Sequence, residues 1–353
     1  MSEKDMNLDN EAKGSEDSLE QRETAGLSQG QIVLRRFVRH RAAMISLFVL
    51  VFIILFVFTA GGLALGTNEN PIRVMGWWKW DFTDIPPLQG LMGEPTLDVF
   101  PEFIDGTGMA IGDHPFGQDS IGQDYFALVI RGAQQSITVM FIIGIVAAFL
   151  GTVMGAISGF FGKWVDQLIM RFVDLLITIP TLIIGAVIGI QIGNLGVFFL
   201  ALFLGLVSWT GLSRLVRGEF LTLREREFVD AARVAGASNL RIIFKHILPN
   251  AIGVVIVSVT LLMSGAILLE TALSYLGFGV VAPDTSLGAL ISTNQDAFVV
   301  YPWLFWWPGL FIVTIALCIN FIGDGLRDAF DPRQKRRISR KDRANAKLAK
   351  KQS

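Results

Sequence analysis

Long runs of apolar sequence without a single charge limit this chain to a small set of folds. Four of them are residues 42–65, 132–162, 252–269 and 302–322. A fifth, residues 175–212, is too long for one span, because a bilayer core takes roughly 20 helical residues. Its centre holds Gln191, Gly193, Asn194 and Gly196, which favour a tight turn between two helices. The sequence therefore predicts an all-α, polytopic membrane protein with six transmembrane helices.

Composition agrees with membrane insertion. Only 17% of the residues are charged and 52% are hydrophobic, against about 25% charged in soluble domains. The length of the first run and the polar segment after it argue against a cleaved signal peptide. The single cysteine, Cys318, excludes an intrachain disulfide, and we interpret it as a small core residue. Three separated histidines, without a nearby ligand cluster, predict no metal site.

The distribution of Lys and Arg predicts the orientation, since positive residues stay on the cytoplasmic side. Of the 30 such residues, 27 fall in the two termini and the loops that share their side, and only Arg73, Lys79 and Arg131 fall on the other. Both termini and the loop 224–250 are therefore expected in the cytoplasm. The segments 67–131 and 275–301 are expected outside.

The chain divides into five predicted segments. Residues 1–30 are polar and acidic, and we expect disorder there. Residues 31–66 form a basic segment and the first span, residues 67–131 an extracytoplasmic segment, and residues 132–325 a core domain with five spans. The basic tail 326–353 is expected to lie on anionic membrane lipid. Nucleic-acid binding is not expected beside a membrane.

The longest cytoplasmic loop between spans contains EFVDAARVAGASNLRIIFKHILPN, residues 227–250. Phe228, Ala231, Ala232 and Ala235 recur at i, i+3, i+4 and i+7, which predicts a helix with one narrow apolar stripe. Gly236 is placed to end that helix in a left-handed turn. Ser238 would cap a second short helix through Leu248, which Pro249 would end. Such a helix–turn–helix could dock in a groove of a soluble partner or rest on lipid as an amphipathic loop.

This loop resembles the EAA signature of ABC-importer permease subunits, in which it couples the membrane domain to an ATPase. The matching residues are Asp230, Ala231, Ala232, Gly236, Ile247, Leu248 and Pro249. Asp230 stands where the family pattern usually has Glu. The resemblance implies an ATPase-coupling site made of Glu227, Phe228, Asp230, Ala231, Ala232, Ala235, Gly236, Ile247, Leu248 and Pro249.

Four further segments are similar to the second permease of oligopeptide, dipeptide and nickel importers. They are LRRFVRHRAAMISL, HPFGQDSIGQDYFALVIRGAQQSI, ETALSYLGFGVVAPDTSLGALI and PGLFIVTIALCINFIGDGLRDAFDPR. The resemblance implies the type I importer fold, a bacterial cytoplasmic membrane and a peptide cargo, with nickel or another small solute as the alternative. It also implies three kinds of partner: a second homologous permease, one or two ATP-binding cassette subunits and an extracytoplasmic solute-binding protein.

The energy source is expected outside this chain. It lacks the G-x-x-x-x-G-K-[ST] phosphate loop, so we predict a transporter subunit that is not itself an enzyme. It would bind no cofactor, with ATP and magnesium held by partner subunits. The competing class, an ATP-independent channel or cation-coupled carrier, usually places ionisable groups at mid-membrane. None lies inside the predicted spans.

Several polar and small residues near the ends of the spans have more than one possible role. Glu270 is either a solvated helix end or part of the translocation path or outer gate. Asp166, Arg171 and Asp174 lie at the cytoplasmic start of the third span. We expect solvation at the membrane interface, or an i, i+3 pair between Arg171 and Asp174, rather than a role in a pathway. The 151-155-159 glycine spacing permits close helix packing, within this subunit or against another. The aromatic residues of segment 67–113 would form a cap at the headgroup layer, or help dock the binding protein or close the outer mouth.

Overall fold

The computed structural model describes residues 29–65, 72–74, 76–90, 92–98 and 111–331. Its helices are α1 (Gln29–Arg39), α2 (Arg41–Ala60), α3 (Tyr125–Phe161), α4 (Lys163–Thr178), α5 (Thr181–Ile192), α6 (Val197–Ser208), α7 (Thr210–Leu223), α8 (Glu227–Val234), α9 (Asn239–Tyr275), α10 (Leu287–Asn294) and α11 (Trp303–Phe330). A short antiparallel hairpin pairs β1 (Leu63–Leu65) with β2 (Ile72–Val74). The all-α prediction is confirmed.

Four helices are long and apolar enough to cross a membrane: α2, α3, α9 and α11. Two further spans arise if each of two bent pairs counts as one. The pair α4 and α5 is bent by 80°, and the pair α6 and α7 by 41°. The turn predicted at the centre of the long apolar run is a 3-10 helix at Gly193–Leu195, followed by Gly196 at a φ of +102°.

Two long helices extend further than their apolar runs. Helix α3 begins at Tyr125 and so includes Arg131, whose guanidinium pairs with Asp284 at 2.5 Å. The expected end at Pro249 is wrong, because α9 runs from Asn239 to Tyr275 without a break. A π-helical segment, Ile242–Ile247, precedes the proline. A wider turn there removes the clash that a proline ring makes with an α-helical carbonyl one turn earlier.

Helix α3 lies at the centre of the molecule and is buried along most of its length. Gly151, Gly155 and Gly159 face α7: a Cβ on Gly155 would lie 2.6 Å from the Ser213 carbonyl oxygen, and one on Gly159 would lie 2.6 Å from Phe220 Cβ. Close packing within the subunit, one of the two alternatives for this glycine spacing, is confirmed. Cys318 is buried in the same apolar core as α3, as predicted.

Three predictions fall wholly or partly outside the described residues. They are the disorder of residues 1–30, the lipid-bound tail 326–353 and much of the extracytoplasmic segment 67–131. Of these, residues 29–30, residues 326–331 and the parts of 67–131 given above are described.

Candidate functional site

The loop between α7 and α9 forms a compact helix–turn–helix at one end of the long helices. Helix α8 ends at Val234, and Gly236 follows at a φ of +78°. The Gly236 N–H donates to the Arg233 carbonyl and the Ala237 N–H to the Ala232 carbonyl, both at 3.0 Å. This pair of bonds is a Schellman motif. The left-handed stop predicted at Gly236 is therefore confirmed.

The turn continues directly into α9. The Ser238 hydroxyl accepts a hydrogen bond from the Arg241 N–H at 3.4 Å, as predicted for a helix N-cap. Residue Ile247 is fully buried, Leu248 is half-buried and Pro249 is exposed. The Asn250 side chain donates to the His246 carbonyl at 2.7 Å, which satisfies a carbonyl beside the π-helical segment. Backbone bonding therefore fixes the loop from α8 into the long helix.

One face of α8 anchors the loop to the body of the protein. Val229 and Ala232 are buried in an apolar cluster with Val216 and Phe220 of α7 and Ile243 of α9. The stripe of four residues predicted from spacing is thus divided, because Ala232 points inward while Phe228, Ala231 and Ala235 are exposed. Val229 was missed by the family pattern, although its i, i+3 spacing to Ala232 could have indicated it.

The other face of α8 is exposed in the part of the subunit that the structure describes. Val234 is 91% exposed and Phe228 39% exposed. Asp230 pairs with Arg233 at 2.9 Å in an exposed i, i+3 ion pair, and Glu227 lies exposed in the first helical turn. Acidic residues in the first turn and Arg233 in the last complement the helix dipole. The result is an ordered, mixed apolar and charged surface with a large apolar side chain at its end.

Glu270 lies on α9 toward the end of the molecule away from α8. Its side chain is 1% exposed and accepts hydrogen bonds from the Ser136 and Ser274 hydroxyls, each at 2.7 Å. Ser136 also accepts from the Leu287 N–H at the start of α10, at 3.4 Å. The solvated helix end considered for Glu270 is wrong, because α3, α9 and α10 enclose it. Its place on a path or gate stays a prediction.

The pair between Arg171 and Asp174, one of the two alternatives given for these residues, is also wrong. Asp174 pairs instead with Arg214 of α7, and Asp166 pairs with Arg217 of α7 at 2.5 Å. These contacts join residues about 40 and 51 positions apart, which a search for i, i+3 spacing along one helix does not reach.

At the end opposite α8, the HPFGQDSIGQD segment folds into a turn that caps α3. The Asp124 carboxylate accepts from the Ala127 N–H at 3.0 Å and from Trp78 Nε1 at 2.8 Å. His114 Nδ1 lies 2.8 Å from the same carboxylate, and both side chains are buried. Gly117 and Gly122 have φ of +81° and +90°, which favours glycine at both places.

The described aromatic residues of segment 67–113 pack on the protein itself. Trp78 and Phe82 contact the core around α3, and Trp78 lies 4.5 Å from Phe126 between ring centroids. Trp77 is 58% exposed and contacts the ring of Phe56. The described part of segment 67–113 is therefore a cap bound to α2 and α3, while its place at the headgroup layer and a role in docking or closing stay predictions.

Comparison of the sequence with known proteins identifies the family. A family described as the binding-protein-dependent transport system inner membrane component matches residues 151–336, more than half of the chain. The chain belongs to this family. The N-terminal transmembrane domain of oligopeptide transport permease C also matches, over residues 28–73. The permease is thus a multi-pass inner-membrane component of a transport system.

Two relatives cover nearly the whole permease. The oligopeptide transport system permease protein OppC of Mycobacterium tuberculosis is 37% identical over 306 residues, which are 86% of this chain and 95% of that protein. OppC of Haemophilus influenzae is 36% identical over 323 residues, 90% of this chain and 93% of that protein. The likeness therefore spans both the α8 loop and the cap on α3.

Proposed function

We propose that this permease forms one half of an ATP-driven, binding-protein-dependent importer that carries peptides across the cytoplasmic membrane. A second, homologous permease would complete the channel. One or two ATP-binding cassette subunits would bind ATP and magnesium, and an extracytoplasmic solute-binding protein would deliver the cargo. This chain would itself hold no cofactor. Both termini and the α8 loop would lie in the cytoplasm, which agrees with the distribution of Lys and Arg.

The ordered, exposed surface of α8 is the observation that carries the proposal. A loop that only rested on lipid would not need a Schellman motif, a capped second helix and an apolar anchor to hold its shape. A force-transmitting contact needs all three, because a flexible loop would absorb the displacement that ATP hydrolysis produces. Here Val229 and Ala232 hold the loop, while Phe228, Ala231 and Val234 are left for a partner.

The cargo assignment has a different basis. Both relatives above are named oligopeptide transport permeases, and the chain matches the N-terminal domain of that subfamily. Uptake of a radiolabelled tripeptide by cells that carry the complete transporter should be lost on deletion of this permease. Nickel uptake, measured in the same strain, should not change. The opposite pattern would assign the cargo to a small solute.

Copurification tests the coupling contact. The tagged permease, extracted in mild detergent, should bring a second permease and at least one ATPase, with ATP hydrolysis in the eluate. Val234→Arg should lower the recovered ATPase by about tenfold or more, because a charge placed in a buried apolar contact costs at least 1.4 kcal/mol. Phe228→Ala should act in the same direction.

Val299→Arg is the matched control. Val299 is 89% exposed, close to the 91% of Val234, but it follows α10 at the end of the molecule away from α8. It should leave ATPase recovery unchanged. Equal recovery from Val234→Arg and the unaltered permease would overturn the contact at α8. A permease that purifies alone and transports in vesicles without ATP would overturn the proposed function.

A further inference from the structure

Helix α4 is held to the rest of the permease by one small apolar cluster and by two ion pairs to α7. Val173 is its one buried residue. Three large apolar side chains point away from the body and are more than half exposed, namely Trp164, Leu168 and Leu175, while the Phe172 ring stacks on Trp209. Val173 packs with Ala147 of α3 and Trp209 in a small apolar cluster, to which Ile169, Met170 and Leu176 add partly buried contacts. The ion pairs from Asp166 and Asp174 to α7 add polar restraints to this apolar contact.

The stronger of these restraints consists of Ser158, Asp166 and Arg217, here named the α4 clamp. Arg217 Nε lies 2.5 Å from Asp166 Oδ1 and Nη2 lies 2.6 Å from Oδ2, a bidentate arrangement. The Ser158 hydroxyl, near the end of α3, donates to Asp166 Oδ1 at 2.5 Å. Asp166 is only 16% exposed, so water screens the pair less than it would at an open surface. Three helices, α3, α4 and α7, meet at this carboxylate.

Helix α7 forms one body with the α8 loop. Only residues 224–226 separate the two helices, and Phe220 of α7 is fully buried against the cluster that holds Val229. On its other side α7 lies against the glycines of α3, where a Cβ on Gly155 would overlap the α7 backbone. A displacement of α8 is therefore carried by α7 and α3 together, since close-packed helices do not deform independently.

Helix α4 joins this body through a tight turn. Gly162 has a φ of +61° and Lys163 a φ of +49°, which is uncommon for a residue with a side chain. At its far end α4 meets α5 at the 80° bend after Thr178. Rotation of α4 about residues 162–163 is restrained at two places, by the apolar cluster around Val173 and, closer to the turn, by the clamp at Asp166.

We propose that the α4 clamp is a positioning element for transport, which carries the displacement of the α8 loop to α4 and through it to the α5 span. The inference rests on the proposed function, because it needs an ATPase that moves α8. Loss of the clamp should leave assembly and ATP hydrolysis in place while transport fails, so that hydrolysis and transport become uncoupled.

The test uses the complete transporter in proteoliposomes and measures two quantities, ATP hydrolysed and labelled peptide accumulated. Asp166→Asn and Arg217→Gln should each lower the peptide accumulated per ATP by at least about fivefold, with ATPase recovery within twofold of the unaltered complex. The double variant Asp166→Arg with Arg217→Asp restores a pair of opposite charges and should recover most of the ratio. Asp166→Glu, which retains the charge, provides a milder second test.

Glu219→Gln is the control, because it removes a carboxylate from α7 that belongs to neither ion pair of α4. It should leave the transport ratio unchanged. A ratio that stays constant in Asp166→Asn, or an exchanged pair and Asp166→Glu that both recover nothing, would overturn the clamp while the proposed function stands. If the unaltered permease recovers no ATPase, the proposed function fails first, and the two failures are thereby distinguished.

Discussion

The Gly236 backbone conformation is a property of a single residue, and it can be tested separately from packing. Apart from its chain neighbours, no heavy atom of the described residues lies within 4 Å of a Cβ built there, so the φ of +78° alone opposes a side chain. Gly236→Ala should cost about 1 kcal/mol in a left-handed conformation. Hydrogen exchange of the amides in residues 235–241 should then become about fivefold faster.

Gly211 supplies the comparison for this prediction. It also has open space around a built Cβ but lies inside α7. Gly211→Ala should stabilise that helix by about 0.8 kcal/mol and slow exchange there. Equal effects of the two substitutions would show that the backbone at Gly236 is not strained by a side chain.

Asp124 is the second residue with a large expected effect. Asp124→Ala removes the N-cap of α3 and leaves Trp78 Nε1 without its acceptor. Loss of the cap costs about 1 kcal/mol, and an unpaired buried donor costs about 1–3 kcal/mol more. Thermal unfolding in detergent should therefore show a clearly lower Tm for Asp124→Ala than for Ser238→Ala. Similar Tm values would contradict the network around Asp124.

For single residues, the sequence could predict the features that depend on local backbone conformation. Gly236 and Ser238 lie at positions where a helix end and a helix start demand those residue types. The partners of Arg131 and Asp166 could not be predicted, because Asp284 and Arg217 are 153 and 51 positions away. A solvated helix end was one of the two alternatives for Glu270, because its serine partner on α3 is also remote in sequence.

The contact between α3 and α7 is a property of two elements. Gly155→Ala should destabilise the permease by about 1–3 kcal/mol, since the new Cβ would lie 2.6 Å from a backbone oxygen and 2.7 Å from Val216 Cβ. Gly218→Ala, inside α7 with open space around a built Cβ, should instead stabilise the helix by about 0.8 kcal/mol, as expected for Gly211→Ala. Thermal unfolding in one detergent measures both, and equal Tm values would contradict close packing of α3 on α7.

The apolar runs predicted the helices themselves, but not where the helices end or bend. Hydrophobicity determines where α2, α3, α9 and α11 cross. It does not indicate that a π-helical segment lets α9 continue through Pro249, or that α4 meets α5 at 80°. Both features depend on tertiary packing, which a count of apolar residues does not contain.

Orientation belongs to the whole molecule. With Cys318 replaced by Ser, single cysteines at Val234 and Val299 would have nearly equal exposure at opposite ends of the molecule. We expect a membrane-impermeant maleimide to label Val299→Cys in intact cells and to label Val234→Cys only after permeabilisation, because the basic loops should lie inside. Labelling of both in intact cells, or the reverse pattern, would contradict the proposed orientation.

The hairpin of α5 and α6 has a consequence for biosynthesis. Each of these helices has 12 residues, which gives a length of about 18 Å, against a hydrocarbon core of about 30 Å. Neither leg reaches across the lipid alone, so the insertion machinery cannot release them one after the other as finished spans. Helix α5 can complete its span with α4, which precedes it, whereas α6 stays sheltered until α7 has been synthesised. The nascent chain is therefore most vulnerable to quality-control proteases while ribosomes translate α6 and α7.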